Sequence, residues 1–289
     1  MNELTMHAHA KINLGLDVIG KREDGYHELR MIMQTINLYD KLTFSLREDS
    51  EIHLTSNLTS LPCNDNNLII KAVKLMTERF SLTRGVDIKL SKHIPIAAGM
   101  AGGSSDAAGT LKAMNELFEL GLSLEELMEL GVTLGADVPY CLMEGTALSE
   151  GIGEILTPLT AVPRCHILIV KPNTNVSTRY VYQNLKITEE TIHPDITGMV
   201  EAIEQNQLSG IVSRLGNVLE TVTIPKCPKI AEIKEEMLRL GALGSLMSGS
   251  GPTVFGIFTS YSKAKAAYEE FKKGPYHSQT FLALPYQPK

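Results

Sequence analysis

The stretch Pro95-Ile96-Ala97-Ala98-Gly99-Met100-Ala101-Gly102-Gly103-Ser104-Ser105-Asp106-Ala107-Ala108-Gly109 constrains this chain more than any other. Gly99, Gly102 and Gly103 put three glycines into five residues, so neighbouring main-chain N–H groups can converge on an anion. Ala107, Leu111, Met114 and Phe118 then recur at helical spacing and predict a helix, with Ser104 or Ser105 as its N-cap. A glycine loop that opens a helix aims unpaired N–H groups and the positive end of the dipole at one point, which suits a phosphate. No lysine follows the glycines, so this is not a Walker A loop, and their spacing is not GxGxxG. A tight turn against a closely packed helix accounts for one glycine. A phosphate site accounts for three followed by two serines.

Before the loop, Met6 to Val18 alternates apolar and polar residues, which predicts a half-buried strand with Lys11 and Asn13 on one face. His7 and His9 share that face, but without a third ligand nearby they read as an exposed strand surface rather than a metal site. A polar turn from Gly20 to Gly25 leads into Tyr26-His27 and a second strand to about Leu38. Leu42, Phe44 and Leu46 mark a third strand and Ile52 with Leu54 a fourth, and the short connections suggest antiparallel pairing. Asn67 to Phe80 reads as a helix, and Val86, Ile88 and Leu90 as the strand that delivers the chain to the loop.

After the loop helix, Gly121 is a C-cap candidate, and Ser123-Leu124-Glu125-Glu126 is a capping box for a helix ending near Gly135. Asp137 follows at once, and Pro139 stops that helix. A carboxylate at a helix C-terminus opposes the dipole, so the placement of Asp137 points to another purpose. Gly145–Leu156 reads as a strand pair, and Pro158–Pro163 as a domain boundary. Strands are expected at His166–Val170, Leu243–Met247, Thr253–Phe258 and Gln279–Leu284. Helices are expected at Ile196–Gln205, Leu208–Leu219, Pro228–Leu240 and Lys263–Phe271. A second domain of antiparallel strands backed by helices is the economical reading.

A chain of 289 residues accommodates two such domains. The formal charge of -6 argues against nucleic acid or an anionic membrane as the main partner, since both reward a basic surface. Cys63, Cys141, Cys165 and Cys227 form no CxxC pair, so reduced buried thiols are expected rather than zinc or disulfides. Met1 to Thr5 lacks the pattern of a leader and no apolar run is long enough to span a bilayer, so a cytoplasmic protein is expected.

Lys11 with Asn13, the loop at Pro95, and a late glycine turn, Ser248-Gly249-Ser250-Gly251-Pro252-Thr253, together resemble the three motifs of the GHMP kinase superfamily. Ala8-His9-Ala10-Lys11-Ile12-Asn13-Leu14, Asp24-Gly25-Tyr26-His27 and Gly135-Ala136-Asp137-Val138-Pro139 narrow the resemblance to the branch that phosphorylates a hydroxyl of a small cytidylyl diphosphate. The resemblance implies an α+β fold of two domains. Residues 1–160 would form an ATP-binding domain like ribosomal protein S5 domain 2, and residues 161–289 a ferredoxin-like domain. It also implies ATP and Mg²⁺, with metal ligands unassigned, and a monomer or homodimer. Asp137 would be the general base and Lys11 the residue that positions it. Pro95, Ile96, Ala97, Ala98, Gly99, Met100, Ala101, Gly102, Gly103, Ser104 and Ser105 would hold ATP. Asn13, Tyr26, His27 and Tyr182 would hold the acceptor, two aromatics being suited to sandwich a base. The alternatives are a GHMP kinase for homoserine, mevalonate or a sugar, which the Tyr26-His27 pair disfavours, and a silent metabolite-binding relative, which Lys11 with Asp137 disfavours.

Overall fold

The computed structural model describes residues 3–288; Met1 and Asn2, the first positions of the stretch read as leaderless, and Lys289 lie outside the described residues. The chain divides into two compact units, and the division falls inside its two longest strands, β1 (Glu3–Lys21) and β2 (His27–Leu46).

The first unit comprises residues up to Ala10, Leu38–Ile96 and Ala101–Met143. Its far half of β2 pairs antiparallel with β4 (Val86–Ser91), placing Leu42 opposite Leu90. β4 in turn pairs parallel with β3 (Ile52–Ser56). β3 thus lies beside β4 and not antiparallel to the strand it follows by a short connection, and α1 (Leu68–Phe80) carries the chain across between β3 and β4, as parallel neighbours require. The expected break between a second and a third strand is also absent, since β2 runs through. Asp40 at the supposed turn is fully buried and its carboxylate accepts the N–H groups of His93 and Ile94, so the backbone stays extended there. α2 (Gly102–Leu117), α3 (Leu124–Leu134) and α4 (Val138–Met143) complete the unit. Ile69, Val73 and Met76 of α1 and Leu111 and Met114 of α2 are buried, as are Leu42, Phe44 and Ile88 on the strands.

Local signals set two of these helix starts. Asn67 caps α1 by accepting the N–H of Ile69, and Ser123 with Glu126 forms the complete capping box of α3. α2 differs from expectation: it begins at Gly102 after Ala101 in the left-handed region, so Ser104 and Ser105 lie inside the first turn rather than capping it. The helix after Ser123 ends at Leu134, and Pro139 sits in the first turn of α4, where proline is tolerated. Asp137 therefore precedes a helix start, where a carboxylate does not oppose the dipole.

The second unit comprises Lys11–Asn37, Ala97–Met100 and residues from Glu144 on. The near half of β2 pairs antiparallel with β5 (Thr146–Gly151), which forms a hairpin with β6 (Ile155–Pro158). Then follow β7 (His166–Val170), α5 (Thr178–Asn184), α6 (Ile196–Glu204) and α7 (Leu208–Val212). The long helix expected over Leu208–Leu219 is replaced by α7, the two-residue strand β8 (Gly216–Asn217) paired parallel with Gly15 and Leu16 of β1, and α8 (Glu220–Lys226). The pairing with β1 overrides the apolar period of this stretch. α9 (Lys229–Arg239), β9 (Gly244–Met247), β10 (Val254–Phe258), α10 (Tyr261–Lys273), a single 3₁₀ turn at His277–Gln279 and β11 (Thr280–Ala283) finish the chain. The four late strands form an antiparallel sheet in the order β11-β7-β10-β9 with helices in the connections, which is the ferredoxin-like arrangement.

Candidate functional site

In the second unit, Lys11 and Asn13 point the same way from β1, as their period demands, and Lys11 Nζ donates to Asn13 Oδ1 at 2.8 Å. Both are buried, Lys11 at 5% exposure and Asn13 at 0%. The Lys11 main-chain N–H donates to the carbonyl of Met100 at 3.2 Å, which fastens the end of the glycine-loop segment to the strand that carries the lysine.

That segment meets the late glycine turn. Ser248 Oγ donates to the Gly99 carbonyl at 2.9 Å. A Cβ at Gly99, where φ is +71°, would lie 2.2 Å from the Ser248 carbonyl oxygen, and one at Gly249 would lie 2.9 Å from the Gly99 oxygen. Each turn needs glycine because the other's backbone occupies the space of a side chain. Ala97 and Ala101 also take positive φ, at 51° and 55°, so every second residue of Ala97–Ala101 is turned into the left-handed region. Such alternation turns successive N–H groups toward one side, the geometry of an anion cradle. The late turn is held from below by buried Asn217, whose Nδ2 donates to the carbonyls of Met247 and Gly249, each at 2.8 Å. Nothing in the sequence singles out Asn217 for this task, since the two carbonyls it donates to lie 30 and 32 residues away.

Tyr26 and His27 sit where the turn after β1 enters β2. Gly25 at φ +88°, the Tyr26 N–H bond to Asp24 Oδ1 and the Arg22 N–H bond to the Tyr26 carbonyl shape that turn. They leave the Tyr26 ring 60% exposed. His27 lies against Tyr182 of α5, with ring centroids 5.2 Å apart and planes tilted by 36°. Burial, assisted by the charge of Lys21, holds the His27 imidazole below its ordinary pKa, so it is neutral at pH 7. His27 and Tyr182 thus form an aromatic pair, and exposed Tyr26 is the next residue along the chain; stacked rings of this kind can receive a planar base.

In the first unit, Asp137 is half-buried in the link between α3 and α4, and its carbonyl accepts the Cys141 N–H at 3.0 Å. Ser105 does not face solvent: it is 2% exposed, and its hydroxyl donates to the His9 carbonyl at 2.6 Å. Behind the start of α2 lies an ionic cluster that the sequence did not signal. Lys92 Nζ donates to Asp40 Oδ2 at 2.6 Å, to Asp106 Oδ2 at 2.5 Å and to the Gly102 carbonyl at 3.1 Å. Burial works against the Lys92 ammonium, but Asp106 and Asp40 outweigh it and raise its pKa. Burial pushes the Asp106 carboxyl up to about 8, against the pull of Lys92 and with the charge of Asp40 adding to the rise. Asp106 Oδ1 has no hydrogen-bond partner. One cation facing two carboxylates therefore leaves Asp106 holding a proton at neutral pH.

No helix among the described residues is long and apolar enough to cross a membrane. Residues 67–145 match the GHMP kinases N terminal domain and residues 187–277 match the GHMP kinases C terminal domain. The chain is an ATP-dependent phosphotransferase of the GHMP kinase class. It is 56% identical over 289 residues to a 4-diphosphocytidyl-2-C-methyl-D-erythritol kinase of Lachnoclostridium phytofermentans, covering 100% of this chain and 99% of the relative. A protein of the same description from Alkaliphilus oremlandii is 50% identical over 285 residues, covering 97% and 98% of the two chains. A solved 4-(cytidine 5'-diphospho)-2C-methyl-D-erythritol kinase superposes with a TM-score of 0.84 at 32% identity over 98% of this chain and 100% of that one. Homoserine kinase from Cytophaga hutchinsonii, with a TM-score of 0.78 at 20% identity over 98% and 94% of the chains, shares the fold alone. The chain belongs to the 4-diphosphocytidyl-2-C-methyl-D-erythritol kinase family.

Proposed function

We propose that this enzyme transfers the γ-phosphoryl group of ATP to the 2-hydroxyl of 4-diphosphocytidyl-2-C-methyl-D-erythritol. The single observation that carries the reading is the 56% identity with a relative of that name along the whole chain. The His27–Tyr182 pair beside exposed Tyr26 supports it independently, because an aromatic group suits a cytosine ring and has no evident use for homoserine or mevalonate.

In this reading Asp137 accepts the proton of the acceptor hydroxyl, and Lys11, oriented by Asn13, holds the reacting oxygen and offsets charge. Pro95–Ser105 cradles the triphosphate through main-chain N–H groups, so transfer relies on positioning and on charge neutralisation rather than on covalent catalysis. Tyr26 and Tyr182 embrace the base, and neutral His27 bonds its edge. Mg²⁺ would enter on the phosphate oxygens of the nucleotide, beside the main-chain donors of Pro95–Ser105, and would supply neutralisation of phosphate charge. Residues 1–160 carry the ATP loop together with Asn13, Tyr26, His27 and Asp137, and residues 161–289, which supply Tyr182, close over them. The enzyme works in the cytoplasm on small molecules, as a monomer or homodimer.

The test is an ADP-release assay across a panel of acceptors. Turnover with the cytidylyl diphosphate and none with mevalonate or homoserine is expected. Turnover of either of those two in its place refutes the assignment.

A further inference from the structure

The segment entering the glycine loop and the helix leaving it are tied to the same three side chains. Before the loop, Asp40 Oδ1 accepts from the N–H groups of His93 at 2.5 Å and Ile94 at 2.8 Å. Asn57 grips the Lys92 backbone from both sides, accepting its N–H at 2.7 Å and donating to its carbonyl at 3.1 Å. After the loop, the Lys92 ammonium reaches Asp106 and the Gly102 carbonyl in the first turn of α2. Its third bond goes to Asp40. An ammonium has three donors, and all three are spent inside the protein. The three side chains are 5% exposed or less.

We propose that Lys92 is a positioning residue for phosphoryl transfer: by bridging Asp40 and Asp106 it fixes the first turn of α2, keeping the N–H groups of Gly102, Gly103 and Ser104 aimed at the phosphates of the nucleotide. The inference rests on the reading of Pro95–Ser105 as the triphosphate loop. Those three N–H groups have no acceptor within the helix, so they are available to a ligand only in the direction the turn points them. Donors held in place before the ligand arrives bind it without a reorganisation cost. A buried ion cluster adds little net stability compared with apolar packing, yet it specifies one geometry, which is what a donor array needs. Gly102 fits this role, because a Cβ there would lie 3.1 Å from Lys92 Nζ and 3.0 Å from Ile94 Cγ2. Glycine leaves the ammonium room to reach the helix.

The experiment compares Lys92→Met, Lys92→Arg and Asp106→Leu with the wild type by steady-state kinetics and by hydrogen exchange with and without ATP. Lys92→Met should raise KM for ATP about tenfold or more and leave KM for the acceptor within about twofold, since uniform binding to one substrate alone is lost. Lys92→Arg should recover most of that loss, because a guanidinium still reaches both Asp40 and Asp106. Asp106→Leu, which keeps the Lys92–Asp40 pair but removes the acceptor on α2, should raise KM for ATP roughly threefold to tenfold. Wild-type protein in which ATP fails to protect the amides of Gly99–Ser105 overturns the loop reading and the inference with it. Protected wild type together with folded Lys92→Met and Asp106→Leu variants of unchanged ATP KM overturns the positioning role and leaves the loop reading standing. If Lys92→Met does not fold, Asp106→Leu decides alone, and an ATP KM within about twofold of wild type overturns the proposal.

Discussion

Replacing Asn217 by alanine tests whether the late glycine turn is held from beneath. The Asn217 side chain makes three bonds to the backbone at 7% exposure: two as donor, to Met247 and Gly249 at 2.8 Å, and one as acceptor, from Leu219 N–H at 3.0 Å. At about 1 kcal/mol net for each neutral bond, the loss sums to about 3 kcal/mol, since alanine leaves all three main-chain groups without a partner. Urea unfolding at pH 7 should show the midpoint falling at nearly constant slope, and calorimetry a Tm lower by roughly 6–12 °C. Asn217→Asp sharpens the comparison. It has the same shape and keeps the acceptor for Leu219, but turns a carboxylate oxygen toward two carbonyl oxygens. At neutral pH it should therefore destabilise more than alanine does, and the excess should shrink on acidification as a protonated carboxyl regains one donor. Because the turn abuts Gly99, both variants should also raise KM for ATP in the folded protein. A loss below about 1 kcal/mol for Asn217→Ala would mean that other contacts hold the turn and that the hydrogen-bond reasoning is wrong.

Gly99→Ala forces a Cβ onto the Ser248 carbonyl at positive φ, and should lose at least about 2 kcal/mol together with ATP affinity; a stable variant of normal KM in thermal and kinetic assays would show that the two turns separate freely. Asp106, raised to about 8, keeps its proton in the folded state after the unfolded chain has lost it. Its contribution is fully present below about pH 4 and is lost as pH rises through about 8, with a slope of up to about 1.4 kcal/mol per pH unit. Asp106→Asn should flatten that decline in urea titrations run from pH 4 to 9, and an unchanged slope would assign the proton elsewhere. Asp137→Asn should abolish turnover while ATP binding by calorimetry persists, and a wild-type kcat would remove it as base. Tyr26→Ala should raise KM for the cytidylyl acceptor about tenfold or more without moving KM for ATP, and equal effects on both would remove Tyr26 from acceptor recognition.

Much of this molecule was legible from residues close in sequence. The alternation from Met6 to Val18, the capping box at Ser123, the helical stretch from Asn67 to Phe80 and the glycine run at Gly99 act within a few residues, where the backbone leaves few choices, and they located strands, helices and loop. The roles proposed for Lys11, Asn13, Tyr26, His27 and Asp137 rest on a resemblance to a family, because a lysine or an aspartate on its own carries no mark of catalysis. Periodicity misjudged places where tertiary contact overrides local preference. A break is expected between Leu38 and Leu42, but Asp40 there is buried as an acceptor, which keeps β2 continuous. The stretch after Leu208 looked helical but yields two residues to β1. The start of α2 was assigned to a serine cap, whereas the structure begins it at Gly102 beside the Lys92 ammonium.

The sequence by itself thus determined that a glycine-lined turn opens a helix and that strand and helix segments surround it in the chain, since those properties follow from local sterics and period. Only the tertiary structure decided which distant groups support the cradle. Lys92 meets Asp40 across 52 residues and Asp106 across 14, and Ser248 meets Gly99 across 149. No local pattern encodes such pairs, because their partners are chosen by which faces the folded backbone brings together and by the cost of leaving a buried charge or carbonyl without one.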